Sequence, residues 1–494
     1  MVVWLAHRRQ PKDVNNSPGA RTHRPLWPSA RKAAPQHVDG DQPVEESQAV
    51  IGPQLPDDAT VHLVLDLALR IGEVQISSGA GASDATATIL AVASAYGLPH
   101  CEVDVIFTSI TVACHRGTDL APVTSLRVVR SRGLDYTRLA VVENLVRDIT
   151  RGKISATDAH AQLSRATEAA HPYPRWLSTL AFGGMAAAIT VLIGGDWLVA
   201  LFAALITAVV DRVGRLLNRR ALPFFFQQVV GGALATGGAL ALLSSGLLPD
   251  VRPTLVIAAA ITVLLSGLSV VGTVQDAITG YNVTAAGRAT EVSLMTAGLI
   301  AGVLFAFTVA RNLGMEQQPL ADPIAATANR LPVQTLAGAA AAGCFALASY
   351  ATPRAMLVAA VAGGAGAAGF GALVLADAGP ITSAAVAATV IGFAGGVISR
   401  RLRIPPLVVA VSGMVPLLPG YTMYRSLFQL SVETDTQGVP TLMLAGATAL
   451  ALAAGVVLGE YLAQPARSGL GRLERRLVGP RMSGPLRPTG RRLE

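Results

Sequence analysis

Apolar residues fill ten long runs between Trp176 and Ala463, separated by short polar stretches. A helix needs about 20 apolar residues to cross the hydrocarbon core of a bilayer, and most of the runs are near that length. Inside lipid every backbone polar group must be satisfied, so unbroken runs of Ala, Gly, Leu and Val predict helices. The predicted spans cover residues 176–194, 196–210, 228–248, 253–275, 291–310, 333–351, 354–376, 380–398, 404–424 and 440–463. The pattern therefore predicts a mainly α, polytopic membrane protein of about ten transmembrane helices.

The chain ahead of these runs follows two other patterns. Residues 1–56 hold eight prolines and show no apolar period, which is typical of a disordered tail. Residues 57–172 show helical spacing, then strict alternation around Val103 and Val105, then helical spacing again. We expect this segment to form a small α+β domain with the order α-α-β-β-β-α-α. A first membrane half, 173–332, then holds spans one to five, a second half, 333–464, holds spans six to ten, and a basic tail covers 465–494.

A short similarity relates the two membrane halves. Leu264-Leu265-Ser266-Gly267 in span four resembles Leu417-Leu418-Pro419-Gly420 in span nine. Five spans separate the two segments, so they cross the bilayer in opposite directions, as in the inverted repeats of secondary transporters. Chance similarity in a leucine-rich sequence is the alternative. A 5+5 inverted repeat would place helix breaks near the bilayer midplane, where such transporters hold their substrates.

Arginines between the spans indicate the orientation of the chain. The loops after even-numbered spans and the C-terminal tail carry most of them: Arg212, Arg215, Arg219, Arg220, Arg288, Arg354, Arg400, Arg401, Arg403, Arg467, Arg472, Arg475 and Arg476. The positive-inside rule then places both termini and the α+β domain in the cytoplasm, with the spans in the plasma membrane. Basic flanks of this kind also account for the net charge of +8, so we expect the lipid bilayer and not nucleic acid as a partner.

Several kinds of chemistry have no motif in this sequence. There is no GxxxxGK[ST] phosphate-binding loop, and all eight histidines precede the first span. Cys101, Cys114 and Cys344 form no CxxC pair, so neither a metal nor another cofactor is expected. Carboxylates near the span ends are then the side chains left for proton coupling, and Asp276 and Glu460 are the candidates. The alternative is that these carboxylates only reach the water at the headgroups.

Span nine carries the residues that bear most directly on substrate binding. Pro416, Pro419 and Gly420 interrupt its helical hydrogen bonds, and Tyr424 and Arg425 follow them. A substrate carboxylate would pair with the arginine or with main-chain amides at the break. The candidate substrate-binding residues are Gly267, Gln275, Pro419, Gly420, Tyr424 and Arg425. For Tyr424 and Arg425, an aromatic belt with a snorkelling arginine is the alternative.

The chain resembles the bacterial threonine/serine exporters over roughly residues 57–463. The similar segments are Ser78-Gly79-Ala80, Arg132-Gly133-Leu134-Asp135-Tyr136, Gly152-Lys153-Ile154-Ser155, Gly194-Gly195-Asp196-Trp197, Asp276-Ala277-Ile278-Thr279-Gly280, Arg403-Ile404-Pro405, Pro416-Leu417-Leu418-Pro419-Gly420 and Gly459-Glu460. The resemblance implies a cytosolic domain followed by two membrane halves. It also implies export of threonine and serine, driven by the membrane potential or the proton gradient.

Other functions stay open beside that of a secondary transporter for small hydroxy amino acids. The chain could export another small metabolite. A membrane-anchored hydrolase would need a nucleophile and a base in the α+β domain, and Ser78 with His100 or His115 is the available set. A non-transporting scaffold that binds partners through that domain is a further alternative. We expect a transporter and not an enzyme, with a small molecule as substrate and a homo-oligomer left open.

Overall fold

The computed structural model describes residues 57–115, 121–130, 133–244, 253–264, 267–315, 327–431, 433 and 435–463. The tail expected at residues 1–56 and the basic tail expected at residues 465–494 lie outside these ranges. Leu265 and Ser266 of the suggested repeat, and Arg132 of the resemblance, also lie outside them.

Residues 58–168 fold as two helices, three strands and two helices, in the predicted order. The elements are α1 (Asp58–Ser77), α2 (Ala82–Ala95), β1 (Cys101–Ile106), β2 (Ser109–Cys114), β3 (Val123–Val128), α3 (Tyr136–Thr150) and α4 (Ala156–Glu168). The strands form an antiparallel sheet in the order β1-β2-β3, with Val103 opposite Val112. Alternating apolar side chains of the sheet pack with α1 and α2 in one core, which includes Leu65, Ile89 and Ile110.

Twelve further helices follow in the described part of the chain. The first six are α5 (Arg175–Leu192), α6 (Trp197–Arg219), α7 (Phe224–Ser244), α8 (Pro253–Leu264), α9 (Gly267–Ile278) and α10 (Asn282–Asn312). The second six are α11 (Leu331–Ala348), α12 (Pro353–Leu375), α13 (Pro380–Leu402), α14 (Pro406–Met414), α15 (Gly420–Ser431) and α16 (Gly438–Ala463). A 3-10 turn, Val415–Leu417, directly follows α14.

Within the described residues, eight of these helices are each long and apolar enough to cross a membrane. The other four form two bent pairs, α8 with α9 at 48° and α14 with α15 at 43°. If each bent pair is one span, the count reaches the predicted ten. Several helices are longer than the predicted spans: α6 continues beyond residue 210, α10 begins before residue 291 and α15 continues beyond residue 424. Hydropathy marks the part of a helix that lies in lipid, whereas the hydrogen-bonded helix continues into polar turns.

The two membrane halves pack in the same pairwise manner. In each half the first helix contacts the second, α5 with α6 and α11 with α12, and the third contacts the fifth, α7 with α10 and α13 with α16. A Cβ on Gly302 or Gly459 would overlap the backbone of the neighbouring helix, so small residues allow the close approach. Gly363 of α12 lies against Gly338 and Ala342 of α11. Equivalent pairings, and a bend in the fourth span of each half, support a 5+5 repeat.

The α+β segment and the membrane helices belong to one compact unit. The connections between spans four and five, six and seven, and eight and nine all contact the α+β segment, at Asp276, Ser349 and Ile404 respectively. These connections therefore lie at the same end of the helices as the α+β segment, which agrees with the arginine pattern. The exact segment boundaries, at residues 57, 173, 333 and 464, stay predictions.

Candidate functional site

The two bent spans meet near their breaks. α8 packs on α15, and α9 packs on α16. Gly420, the first residue of α15, lies so close to Thr262 of α8 that a Cβ at this position would overlap the threonine side chain. Only glycine permits this approach of two helices. The contact brings the break after Leu264 close to the break before Gly420.

A cavity of about 260 Å³ lies beside the two breaks. Leu264 at the end of α8, and Leu418 and Pro419 ahead of α15, form part of its wall, and α7, α9, α10 and α16 supply most of the rest. Gln228 and Thr296 are the only polar side chains among the described residues that line it. An apolar wall with a few polar groups is the usual way in which proteins bind and orient a small molecule.

A second cavity, of about 310 Å³, adjoins the first, because Gln228, Leu264 and Met295 line both. It lies among α5, α6, α7, α8 and α10 and has more polar residues in its wall. Asp211 and Arg215 of α6 form an ion pair of 2.6 Å on this wall. Together the two cavities extend from the charged end of α6 to the breaks in the bent spans.

Three of the six predicted substrate-binding residues lie at these breaks. Pro419 lines the first cavity, Gly420 begins α15 beside it, and Gly267 begins α9 at the other break. Their position agrees with the expectation that broken helices meet at one site. Their role in binding stays a prediction.

The other three predicted residues line neither of the two cavities described above. Tyr424 is fully buried in an apolar cluster that also contains Phe428. Arg425 is half-buried on the same helix. Gln275 donates from Nε2 to Asp84 Oδ2 at 2.9 Å, and so contacts the α+β domain. A substrate contact for these residues stays a prediction and would require a different arrangement of α9 and α15.

Asp276, a candidate for proton coupling, is fully buried and paired with a cation. Its Oδ2 lies 2.9 Å from Nη1 of Arg288 on α10. Its Oδ1 accepts a hydrogen bond of 2.7 Å from the main-chain N–H of Ala82, the first residue of α2. The guanidinium of Arg288 also donates to the carbonyl oxygen of Ala80 at 3.2 Å. A buried ion pair needs such additional partners, and a helix N-terminus favours a carboxylate.

The loop of residues 78–81 is therefore docked on the α9–α10 pair. A Cβ on Gly81 would lie 2.9 Å from Cδ of Gln275, and a Cβ on Gly272 would lie 2.7 Å from Nη1 of Arg288. Two glycines, one on each side of the contact, thus allow the polar groups to approach. The contact explains why small residues follow α1, where the sequence shows Ser78-Gly79-Ala80.

A hydrogen-bonded threonine strengthens the same contact. Thr284 of α10 donates from Oγ1 to the carbonyl oxygen of Val105 at 2.8 Å. The hydroxyl oxygen of Thr284, Oγ1, also accepts a hydrogen bond of 3.0 Å from the main-chain N–H of Phe107. The turn after β1 and the loop after α1 therefore both bind the α9–α10 pair.

A second contact joins the α+β domain to the other membrane half. Tyr136, the first residue of α3, is buried in an apolar cluster with Ala355, Ile404 and Val408. Its main-chain N–H donates to the carbonyl oxygen of Ser349 at 3.0 Å. Burial raises the pKa of the Tyr136 phenol, which therefore stays neutral. This contact depends on apolar packing, unlike the charged contact at Asp276.

Asp135 fixes the start of α3 at this second contact. Its Oδ1 accepts a hydrogen bond of 2.9 Å from the main-chain N–H of Arg138, which caps the helix. Its Oδ2 lies 2.8 Å from Nδ1 of His171. The His171 ring stacks on Tyr350, with the ring centroids 4.3 Å apart.

The remaining titratable candidates lie away from the breaks. Glu460, the second carboxylate predicted to couple protons, is half-buried near the end of α16, and its role stays a prediction. Cys101 and Cys114 are opposed strand residues with free thiols. Burial, with a contribution from Cys114, raises the pKa of Cys101 to about 12. A thiol with so high a pKa is a poor nucleophile near neutral pH.

Two family models match this chain. One, described as "Putative threonine/serine exporter", matches residues 66–310, and the other, described as "Threonine/Serine exporter, ThrE", matches residues 334–462. A protein of Mycobacterium tuberculosis named "Probable threonine/serine exporter" is 41% identical over 431 residues, which cover 84% of this chain and 79% of the relative. The "Threonine/serine exporter" of Corynebacterium glutamicum is 35% identical over 416 residues, covering 84% of this chain and 85% of the relative.

This chain belongs to the threonine/serine exporter family. No solved structure matches it. Family membership makes this exporter a multi-pass membrane transporter and not an enzyme. Ser78, the nucleophile of the hydrolase alternative, is 2% exposed in the docked loop. Among the described residues of the exporter, no group of three or more His, Cys, Asp or Glu side chains is arranged to hold a metal ion.

Two residues at or near the candidate site are absent from the predicted set. Arg288 counts in the sequence only as a loop arginine that indicates orientation, although it is the buried partner of Asp276. Gln228 is the single amide shared by the two cavities. A signal for it does exist, since Gln227 and Gln228 are consecutive amides near the start of an otherwise apolar run. Both amides line the second cavity, and the sequence does not show that Gln228 also lines the first.

Proposed function

We propose that this exporter moves threonine and serine out of the cytoplasm across the plasma membrane as a secondary transporter. The names of the two relatives support the choice of substrate. The observation that carries the mechanism is the cavity of about 260 Å³ beside the paired helix breaks. Unwound backbone at such breaks offers amides and carbonyls to small polar substrates near the bilayer midplane.

The apolar lining of the cavity leaves the charges of an amino acid to main-chain groups at the breaks. α9 begins at Gly267 and α15 begins at Gly420, and the amides of a helix N-terminus favour a carboxylate. α8 ends at Leu264, and the last carbonyls of a helix accept hydrogen bonds from an ammonium group. Gly267, Pro419 and Gly420 are therefore the predicted residues that are best placed for binding.

The proposal includes energy coupling and orientation. The arginine pattern supports cytoplasmic termini, and the proton gradient or the membrane potential would drive export. Glu460 and Asp276 stay the candidate proton carriers. The helix α16, which carries Glu460, also lines the cavity between Ala445 and Leu452, so a change at that carboxylate would act on a helix of the site.

Counterflow in reconstituted vesicles tests the substrate. Vesicles are preloaded with unlabelled threonine, serine, lysine or aspartate, and uptake of labelled serine is measured. We expect threonine and serine to drive accumulation of the label, and lysine and aspartate to leave it at the level of protein-free vesicles. Absence of threonine and serine exchange would contradict the proposed function.

Efflux under an imposed pH gradient tests the coupling. We expect the gradient to accelerate serine efflux from vesicles that contain the wild-type exporter. Glu460→Gln and Asp276→Asn are then compared in both assays. A carboxylate that couples protons is needed for the acceleration but not for counterflow. A variant that keeps the full acceleration removes that carboxylate from the coupling mechanism.

A further inference from the structure

Gln228 of α7 lies where the two cavities adjoin. It lines both of them together with Leu264 and Met295. In the cavity beside the breaks it is one of only two polar side chains among the described lining residues. Its amide is therefore the one polar side chain among the described residues that the two cavities share.

The Oε1 atom of Gln228 is buried and has no hydrogen-bond partner within the described part of the chain. The neighbouring Gln227 differs, because its Nε2 donates to the carbonyl oxygen of Leu222 at 2.6 Å. A buried amide oxygen without a donor is costly, and such groups in native proteins call for an explanation. A cavity ligand with an O–H or N–H group supplies the missing donor.

The backbone that carries Gln228 is held firmly. A Cβ on Gly298 of α10 would lie 2.6 Å from the carbonyl oxygen of Phe225 and 3.4 Å from Cβ of Gln228. One turn further on, a Cβ on Gly302 would overlap the backbone of Val229. Because α7 and α10 approach this closely, the backbone of Gln228 has little freedom to move relative to the cavity wall. Preorganisation of this kind is what a specific polar contact requires.

We infer that Gln228 binds the side-chain hydroxyl of the substrate and sets the preference for hydroxy amino acids over their analogues without the hydroxyl. This inference rests on the proposed function and adds a specificity residue to it. The hydroxyl donates to Oε1 of Gln228, while main-chain groups at the breaks hold the ammonium and the carboxylate. A ligand that lacks the hydroxyl leaves the buried amide unpaired, so it is disfavoured.

The test compares two substrate pairs that differ at the hydroxyl, serine with alanine and threonine with valine. Initial counterflow rates are measured over a range of concentrations for the wild type, Gln228→Met and Gln228→Asn. Methionine has a similar length but no amide, and asparagine keeps the amide on a shorter side chain. We expect Gln228→Met to lower the serine-to-alanine ratio of kcat/KM by roughly tenfold. We expect Gln228→Asn to retain part of the preference.

Thr236→Val is the matched control. Thr236 lies on the same helix, is fully buried, and has a hydroxyl without a partner among the described residues, but it lines neither cavity. We expect this variant to keep the wild-type serine-to-alanine ratio of kcat/KM. That result would show that loss of a buried polar atom from α7 does not by itself change the substrate preference. Elution on gel filtration confirms that all variants are folded.

Two results would overturn the inference while leaving the proposed function intact. One is a wild-type exporter that carries alanine as readily as serine. The other is a Gln228→Met variant that loses serine and alanine transport in equal proportion, which would assign Gln228 a packing role. If the wild type exchanges neither threonine nor serine, the proposed function itself fails.

Discussion

The two bent spans meet at one cavity. The helices that follow their breaks, α9 and α15, are nevertheless held by different kinds of interaction. The end of α9 is fixed by charge, since Asp276 pairs with Arg288 and accepts from Ala82 of the α+β domain. α15, which follows the break in the other span, accepts a neutral hydrogen bond from Thr441 and buries Tyr424 and Phe428 in an apolar cluster. Its Phe428 ring packs edge-on against Phe307 of α10, with the ring centroids 5.6 Å apart.

The difference matters because the two kinds of contact respond differently to movement. Charge-assisted hydrogen bonds hold one geometry, whereas apolar contacts are non-directional. We therefore expect α9 to move as one body with the α+β domain, and α15 to shift against its neighbours at lower cost. We expect the α+β domain to hold one of the two broken helices in place.

The largest expected effect comes from breaking the charged contact. Arg288→Met leaves the Asp276 carboxylate buried without its cation, which costs about 3–5 kcal/mol of stability. Thermal unfolding of the purified exporter in detergent measures the loss. The double variant Asp276→Asn/Arg288→Met removes both charges and should recover part of it, because asparagine still accepts from Ala82.

Arg311→Met provides the control for this prediction. Arg311 lies on the same helix and is exposed, so its loss should change the unfolding midpoint little. If Arg288→Met unfolds at the wild-type temperature, the charged contact does not hold α9, and the comparison between the two spans fails.

A smaller effect is expected at the point where the two spans meet. Gly420→Ala places a methyl group on the Thr262 side chain, and overpacking of this kind costs about 1–3 kcal/mol. The same change should slow serine counterflow, because it separates the two breaks. Gly369→Ala is the control, since a Cβ at this helical glycine meets nothing within 4 Å. Equal transport by both variants would show that the close approach at Gly420 is not needed.

The smallest effect is expected from the uncharged hydrogen bonds that join Thr284 to the turn after β1. Thr284→Val leaves the Val105 carbonyl and the Phe107 N–H without their partner, at a cost of about 1–2 kcal/mol. Thr284→Ser keeps the hydroxyl and should restore most of the stability. Unfolding midpoints of the two variants check this, and a valine variant as stable as the serine variant would remove Thr284 from the docking contact.

Local patterns in the sequence were sufficient for the elements of the fold. The apolar runs predict the spans, because burial in lipid selects residue type along a helix regardless of its neighbours. Gly420 and Pro419 predict a helix break from their backbone properties alone. The order of strands and helices between residues 58 and 168 follows from the alternation of apolar positions.

Contacts between distant parts of the chain could not be predicted in this way. Asp276 is a carboxylate at the end of a span in the sequence, and nothing near it identifies Ala82 as its hydrogen-bond donor. Gln275 has an amide side chain of the kind that binds polar substrates, but this amide donates a hydrogen bond to Asp84. Such partners depend on how the α+β domain is placed against the helices, which local periodicity does not encode.

The sequence by itself thus determined a membrane protein with ten apolar runs, a small α+β segment ahead of them, and two spans interrupted by glycine or proline. Only the tertiary structure decided that the two interrupted spans meet at Gly420 and Thr262. It also decided that the buried ion pair between α9 and α10 is hydrogen-bonded to the α+β segment through Ala82 and Ala80. The physical reason is that helix formation and lipid burial are properties of consecutive residues. A cavity, an ion pair or an unpaired amide such as Gln228 exists only when separate helices are brought together.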